Sequence, residues 1–181
     1  MLADQDFADL TLTQLGAATG SSRALVYHYF PTKAHLFGAL WQRLHLEAFA
    51  AAPEPAAFDT LGEFVASRLN TIFDFYAEHR ALVVVANRSP IAADPAVRGP
   101  VGEVLTAQGR QIIEAAGVTG QAQVVVGVAF GGWVAFVREA ALAWLIDGRI
   151  TRTELMQLCL GSLTGAVAGH LDLDAAPVTA S

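Results

Sequence analysis

The sequence predicts an all-α protein, a small helix-turn-helix head followed by a larger helical bundle. Apolar residues recur at helical spacing in one segment after another, and no strand-like alternation lasts beyond a few positions. Proline-rich interruptions separate those segments. Hydrophobic residues make up 54% of the 181 residues and charged residues 15%. That is ample for a helical core and more apolar material than a monomer of this size hides, which points to self-association. No internal repeat is present.

The elements follow in order. Short helices fit Thr11–Ala18 and Ser22–Phe30. A longer one fits Lys33 to Ala51, with Leu36, Phe37, Leu40, Trp41 and Leu44 at helical spacing. The prolines of AAPEPAAFDT break the pattern, and Asp59 or Thr60 caps the next helix. Its stripe is Leu61, Phe64, Val65, Leu69, Ile72, Phe73 and Tyr76, with Ser67, Asn70, Asp74 and Glu78 lying off it. A short helix covers Arg80–Asn87. RSPIAADPAVRGP is a second break, after which a helix resumes near Val101 and ends by Gly117. A long helix spans Gln121–Ile146, stopped by Asp147-Gly148. The last runs Thr151–Gly169, capped by Thr151 or Thr153 with Glu154 in its first turn. The tail LDLDAAPVTAS has no pattern and is expected to fray.

Charge and cysteine content bound the function. The net charge is −6, yet no Asp or Glu occurs between Leu10 and Leu46. That stretch holds Arg23, Lys33, Arg43, His28, His35 and His45, a neutral-to-basic island suited to an anionic partner. Cys159 is the single cysteine, so no intrachain disulfide forms; its apolar helical setting reads as core and fits a reducing compartment. MLADQDFADL carries no secretory pattern. The longest apolar run, Val124 to Val137, is shorter than the roughly 20 residues of a membrane span, so it reads as a buried helix and no membrane partner is expected.

Between Ser21 and Lys33 the chain reads SSRALVYHYFPTK. On a helix capped by Ser22, Val26, Tyr29 and Phe30 share one side, while Ala24, Tyr27 and His28 lie on the other, with Arg23 and Leu25 at the flanks. Tyr29 and Phe30 then anchor the helix, and Tyr27, His28 and Arg23 face outward. The preceding TLTQLGAATG gives a short helix capped by Thr11 or Thr13 and closed by Gly20, which accepts the left-handed backbone of a tight turn. Two short helices joined by such a turn make a helix-turn-helix, whose second helix enters the major groove of double-stranded DNA. The helix starts at Thr11–Thr13 and Thr32-Lys33 suit phosphate.

LTLTQLGAATGSSRALVYHYFPTKAHLF resembles the DNA-binding signature of the tetracycline-repressor (TetR) family of bacterial transcriptional regulators. The likeness lies in the Thr-capped helix, the Ala18-Thr19-Gly20 turn, the Ser22 cap, the Tyr27-His28-Tyr29-Phe30 block, and Lys33 followed by Leu36. It implies that Ser22, Arg23, Ala24 and Leu25 begin the groove-facing helix, that Tyr27, His28 and Lys33 contact phosphates, with His28 able to reach a base, and that Thr13 and its helix start hold the backbone. Phe30 and Leu36 would be core. Leu25 departs from the small polar residue common there and can read only a thymine methyl. Family members have a longer first helix; with only MLADQDFADL before Thr11, that helix is expected to be truncated here.

The resemblance also implies a cytoplasmic homodimer joined through its last two long helices and enclosing a ligand pocket. The residues allow this. Gly161, Gly165 and Gly169 form a smooth strip on the last helix, and Gly127, Gly131 and Ala135 do so on the one before. A glycine in a helix costs about 1 kcal/mol against alanine, so the strips imply close packing, in a two-fold interface or within one bundle. Phe64, Phe73, Tyr76, Trp133 and Phe136 are candidates for an aromatic pocket, with Asn70, His79, Asn87 or Gln108 as polar contacts. The sparse charge of the middle helices favours a small apolar or aromatic effector.

No histidine pair with a carboxylate has metal-ligand spacing, and no nucleophile elbow, phosphate loop or activated cysteine occurs. The protein is expected to be no enzyme and to hold no metal or cofactor. The expected organisation is a DNA-binding domain over 1–46 and a ligand-binding and dimerisation domain over 47–181. The expected activity is ligand-responsive repression at a palindromic operator. The alternative is a dimeric helical protein that binds a small molecule or partner and carries a defective DNA head.

Overall fold

The fold comes from a computed structural model that describes residues 28–177. The helix Thr11–Ala18 and residues 22–27 of the expected helix Ser22–Phe30 lie outside the described residues. Among those described there are six α-helices and no strand: α1 (Lys33–Ala50), α2 (Leu61–Glu78), α3 (Arg80–Arg88), α4 (Pro95–Ala115), α5 (Gly120–Leu145) and α6 (Arg152–Val167), with one-turn 3₁₀ segments at Pro55–Ala57 and Pro90–Ala93.

α2 is the central helix and touches each of the other five. Its predicted stripe, Leu61 through Tyr76, is buried throughout. Of the two candidate caps, Thr60 serves. Its hydroxyl accepts from the Glu63 amide at 3.1 Å, and the Glu63 carboxylate accepts from the Thr60 amide at 3.2 Å, a reciprocal pair that satisfies two free donors. Thr151 and Glu154 repeat the device at the start of α6. The carboxyl of Glu154 is held below its ordinary range by these Thr151 hydrogen bonds.

Four expectations need correction. α4 starts at Pro95 and not near Val101, because Asp94 caps it and a first-turn proline gives up no helical hydrogen bond. Pro100 then lies inside the helix and has no N–H for the Ala96 carbonyl. α1 buries Ala34, Phe37, Trp41, His45 and Phe49, while Leu40 is exposed, so its stripe is rotated away from the leucines. The tail is not frayed as far as residue 175. The Leu61 amide donates to the Ala175 carbonyl at 2.9 Å and the Gly62 amide to Leu173 at 2.7 Å, so the returning chain satisfies two more donors at the start of α2. Leu173 is buried there.

The fourth concerns α5. It is long and apolar enough to cross a membrane, but it is not a buried helix. One side packs on α4 and α6, and Val124, Val128 and Phe136 are exposed on the other.

α1 packs most extensively on α4. At the crossing, the Ala96 carbonyl occupies the space that a Cβ would take at Gly38. This is the carbonyl that Pro100 leaves without a helical donor. Further along, Trp41 and His45 join Phe75 and Tyr76 in an aromatic cluster, with His45 edge-on to Trp41 at 4.3 Å and to Phe75 at 4.8 Å. The His45 Nδ1–H donates to the Trp41 carbonyl at 2.8 Å, and Nε2 has no partner. Burial pushes the His45 imidazole down to about 4, with the neighbouring His79 adding to the effect and the Trp41 bond opposing it.

Gly38→Ala should destabilise the protein by about 1–3 kcal/mol, because backbone and not a flexible side chain must give way. Gly99→Ala, on the same helix pair but facing open space, should be neutral or stabilising by up to about 1 kcal/mol; urea melts of both variants make the comparison. Leu173→Ala should cost about 2 kcal/mol by the same assay. His45 binds a proton near 6.5 when unfolded and near 4 when folded. The unfolded chain therefore takes up the proton first, so stability holds above pH 6.5 and falls as pH drops toward 4. The loss is about 3 kcal/mol at most. Chemical denaturation across that window should show it, and His45→Leu should flatten the profile.

Candidate functional site

The DNA-facing candidates divide at the edge of the described chain. Thr11, Thr13, Ser22, Arg23, Ala24, Leu25 and Tyr27 lie outside the described residues. His28 is exposed, at the end of a helix that stops before Phe30, and its ring meets that of Tyr29 edge-on at 5.2 Å. Tyr29 is 67% exposed and does not anchor that helix as expected. Phe30 and Leu36 are half-buried and not full core. Lys33 opens α1, whose first turn is capped by the Thr32 hydroxyl accepting from the His35 amide at 3.3 Å.

The basic island is thinner than its residue count. His45 is buried and neutral, for the reasons above. Arg43 spans to Glu47 at 2.7 Å, one turn along α1.

A cavity of about 300 Å³ lies inside the helical body. α1 contributes Trp41 and Phe49, α2 contributes Arg68 and Tyr76, α3 contributes Asn87, α4 contributes Arg98 and Gln108, and α5 contributes Phe130, Trp133 and Arg138. The space exists because small residues stand where bulk is usual: Gly102 on α4 and Gly131 on α5 both border it, and a Cβ at either would meet nothing within 4 Å. The rings are fixed from behind. Trp133 Nε1–H donates to the Cys159 carbonyl at 2.7 Å, and Phe130 lies 5.0 Å from Trp133, wedged against Gly109. Burial pushes the Tyr76 hydroxyl up to about 12 despite the nearby Arg138 charge, so it keeps its proton. Cys159 is fully buried and pushed up to about 11 by desolvation, an unreactive core thiol as expected.

Of the nine pocket candidates, Tyr76, Trp133, Asn87 and Gln108 line the cavity. The other five do not. Phe64 is core behind Arg68. Phe73 packs on Trp144 at 6.1 Å. Asn70 is exposed and accepts from Arg152 at 2.9 Å. Phe136 sits on the outer face of α5. Aromatic content does not say which face of a helix a ring occupies relative to a gap in its neighbour, and that separates these residues. His79 packs on Phe75 at 4.8 Å and does not reach the cavity.

Arg68 was legible and missed. It stands on the buried stripe of α2, one turn from Phe64 and one from Ile72, where a lone cation is out of pattern. Arg98 and Arg138 carry no such sequence signal.

The small-residue strips are placed as follows. Gly131, Ala135, Gly161 and Gly165 are exposed, and Gly127 is half-buried against Ile113. Gly131 and Ala135 also border the cavity. Gly169 is not on the helix: α6 ends at Val167, and Gly169 takes φ +81 in the turn that sends the tail back to α2.

Known proteins can now be set beside this geometry. Residues 1–40 match the model of bacterial regulatory proteins of the tetR family. No curated protein sequence matches the chain. Among solved structures, the chain is similar to a tetR-family transcriptional regulator from Streptomyces coelicolor, with 26% identity and a TM-score of 0.70 over 92% of this chain and 74% of that one. It also shares its fold with a TetR transcriptional regulator from Rhodococcus sp. RHA1, at 18% identity and a TM-score of 0.64, over 92% of this chain and 88% of that one. The DNA-binding head thus matches the tetR family of bacterial regulatory proteins, and the helical body shares the fold of TetR-family transcriptional regulators.

Proposed function

We propose that the protein is a cytoplasmic, ligand-responsive repressor that binds a palindromic operator as a homodimer, with the body cavity as its effector site. One observation carries the reading. α1 begins at Lys33, within the head, and the same unbroken helix supplies Trp41 and Phe49 to the cavity wall. It runs through residue 46, where the DNA-binding and ligand-binding parts are taken to meet, so a shift of α1 at the cavity is a shift at the head. An effector that prefers the α1 position that fits DNA poorly lowers operator affinity by population shift.

The dimer reading rests on the outer face of α5 and α6. Val124, Val128, Phe136 and Leu158 are exposed there, beside Gly131, Gly161 and Gly165. Large apolar side chains next to glycines suit close approach of a second copy, and a two-fold axis between the copies sets two heads about one DNA turn apart. Tyr27, His28 and Lys33 are assigned to phosphates, and Arg23, Ala24 and Leu25 to the groove.

Selection from a randomised duplex pool should enrich a palindrome whose affinity falls steeply with salt. Tyr27→Ala should weaken binding, and Lys33→Ala should reduce the slope of log K against log salt by about 2 for the dimer, one phosphate per head. A folded dimer that enriches no sequence would instead support a small-molecule- or partner-binding protein with a defective head. Val128→Glu, at a side chain 75% exposed within one copy, should leave helicity unchanged while converting dimer to monomer in light scattering. Persistence of the dimer would remove this face from the interface.

A further inference from the structure

Resting on the reading of the cavity as the effector site, we propose that the effector is an amphipathic monocarboxylate, its apolar body held by the aromatic wall and its carboxylate by Arg68.

Arg68 is the anchor because it is a buried cation without an anion. It is 94% buried, at 6% relative exposure. Nη1 donates to the Phe49 carbonyl at 3.3 Å, Nη2 reaches Gln111 Oε1 only at 3.5 Å, and the guanidinium stacks 5.0 Å above the Phe64 ring. Nε is buried with no partner. No carboxylate forms an ion pair with Arg68 among the described residues. Exposed Glu54 acts on it only through its field, against a desolvation that lowers the pKa. Arginine keeps its proton even so, and a buried charge without a counter-charge is costly. The weakly used edge, Nε with Nη2, is the fork that binds a carboxylate with two parallel hydrogen bonds.

The surroundings agree. Three arginines, Arg68, Arg98 and Arg138, line the cavity, and no Asp or Glu does among the described residues. Arg98 is held by its Nε–H to the Ala92 carbonyl at 2.7 Å, and Arg138 by Glu139 at 2.8 Å on the exposed side. An excess of fixed positive charge around an apolar space favours an anion of low total charge. Gln108 Oε1 is also buried without a partner. Rotation of its amide exchanges oxygen for NH₂ and turns it into a donor. The remaining wall is largely apolar, with aliphatic side chains such as Leu69, Leu105 and Val134 around Trp41, which stacks on Tyr76 at 6.0 Å, so the body of the ligand is apolar and one end is charged.

The test uses the purified full chain and two acid–amide pairs of matched shape, naphthoate with naphthamide and octanoate with octanamide. Quenching of the cavity tryptophans, Trp41 and Trp133, reads binding at neutral pH, and a thermal shift checks it. At least one acid should bind on the order of tenfold or more tightly than its amide. Arg68→Met should bring that acid down to the level of its amide and leave the amide unchanged. Arg68→Lys should restore part of the preference by charge without the fork. If acid and amide bind wild-type protein equally, the carboxylate assignment is wrong while the cavity remains a ligand site. If none of the four binds, the effector-site reading falls, and this proposal with it. The wild-type acid-to-amide ratio decides between these even if Arg68→Met does not fold.

Discussion

Where α1 crosses α4, backbone lies against backbone, and the rest of the molecule is arranged around that crossing. Gly38 removes the side chain that would hold the helices apart, and Pro100 removes the amide that would otherwise claim the Ala96 carbonyl. Helices this close move together. α1 is the way out of the DNA-binding head, and α4 carries Arg98, Gly102 and Gln108 into the cavity wall. The one contact therefore joins the part that meets DNA to the part with room for a ligand. Protein interiors respond to strain by switching between packed arrangements and not by bending smoothly, which makes such a crossing suited to relaying an occupied cavity.

The cavity is bounded by choices that weaken a core. Glycines at 102 and 131 leave volume unfilled, and Arg68 places a cation where Phe64 and Ile72 call for an apolar side chain. Both lower stability in the free protein. The surrounding structure makes up for this with well-satisfied helix starts at Thr60 and Thr151 and with the tail returning to α2. Local rules broken together at one place are the mark of a site and not of poor packing.

The outer face of α5 shows the opposite economy. Over this long, apolar helix, Val124, Val128 and Phe136 stay exposed among the described residues. Its exposed valines stand on one side, while buried Trp133 helps to close the cavity on the other. A second copy on that face would lie one helix thickness from the cavity.

The sequence by itself determined the order of the helices, the α2 stripe, a pair of candidate caps at each of two helix starts and the family of the head. These are local properties: periodicity, caps and a contiguous motif depend on residues within a few positions of one another. Tertiary structure alone decided which aromatics face a cavity, since Tyr76 and Phe73 are equally apolar and differ only in what lies opposite. It decided the docking of the tail, because carbonyls from residues 173 and 175 leave no side-chain signature. It set the rotation of α1, where Gly38 faces α4 for close approach while the leucines do not. Arg68 lies between the two cases. Its position on the stripe was visible in the sequence, but its want of a counter-ion became visible only when every neighbouring helix was in place.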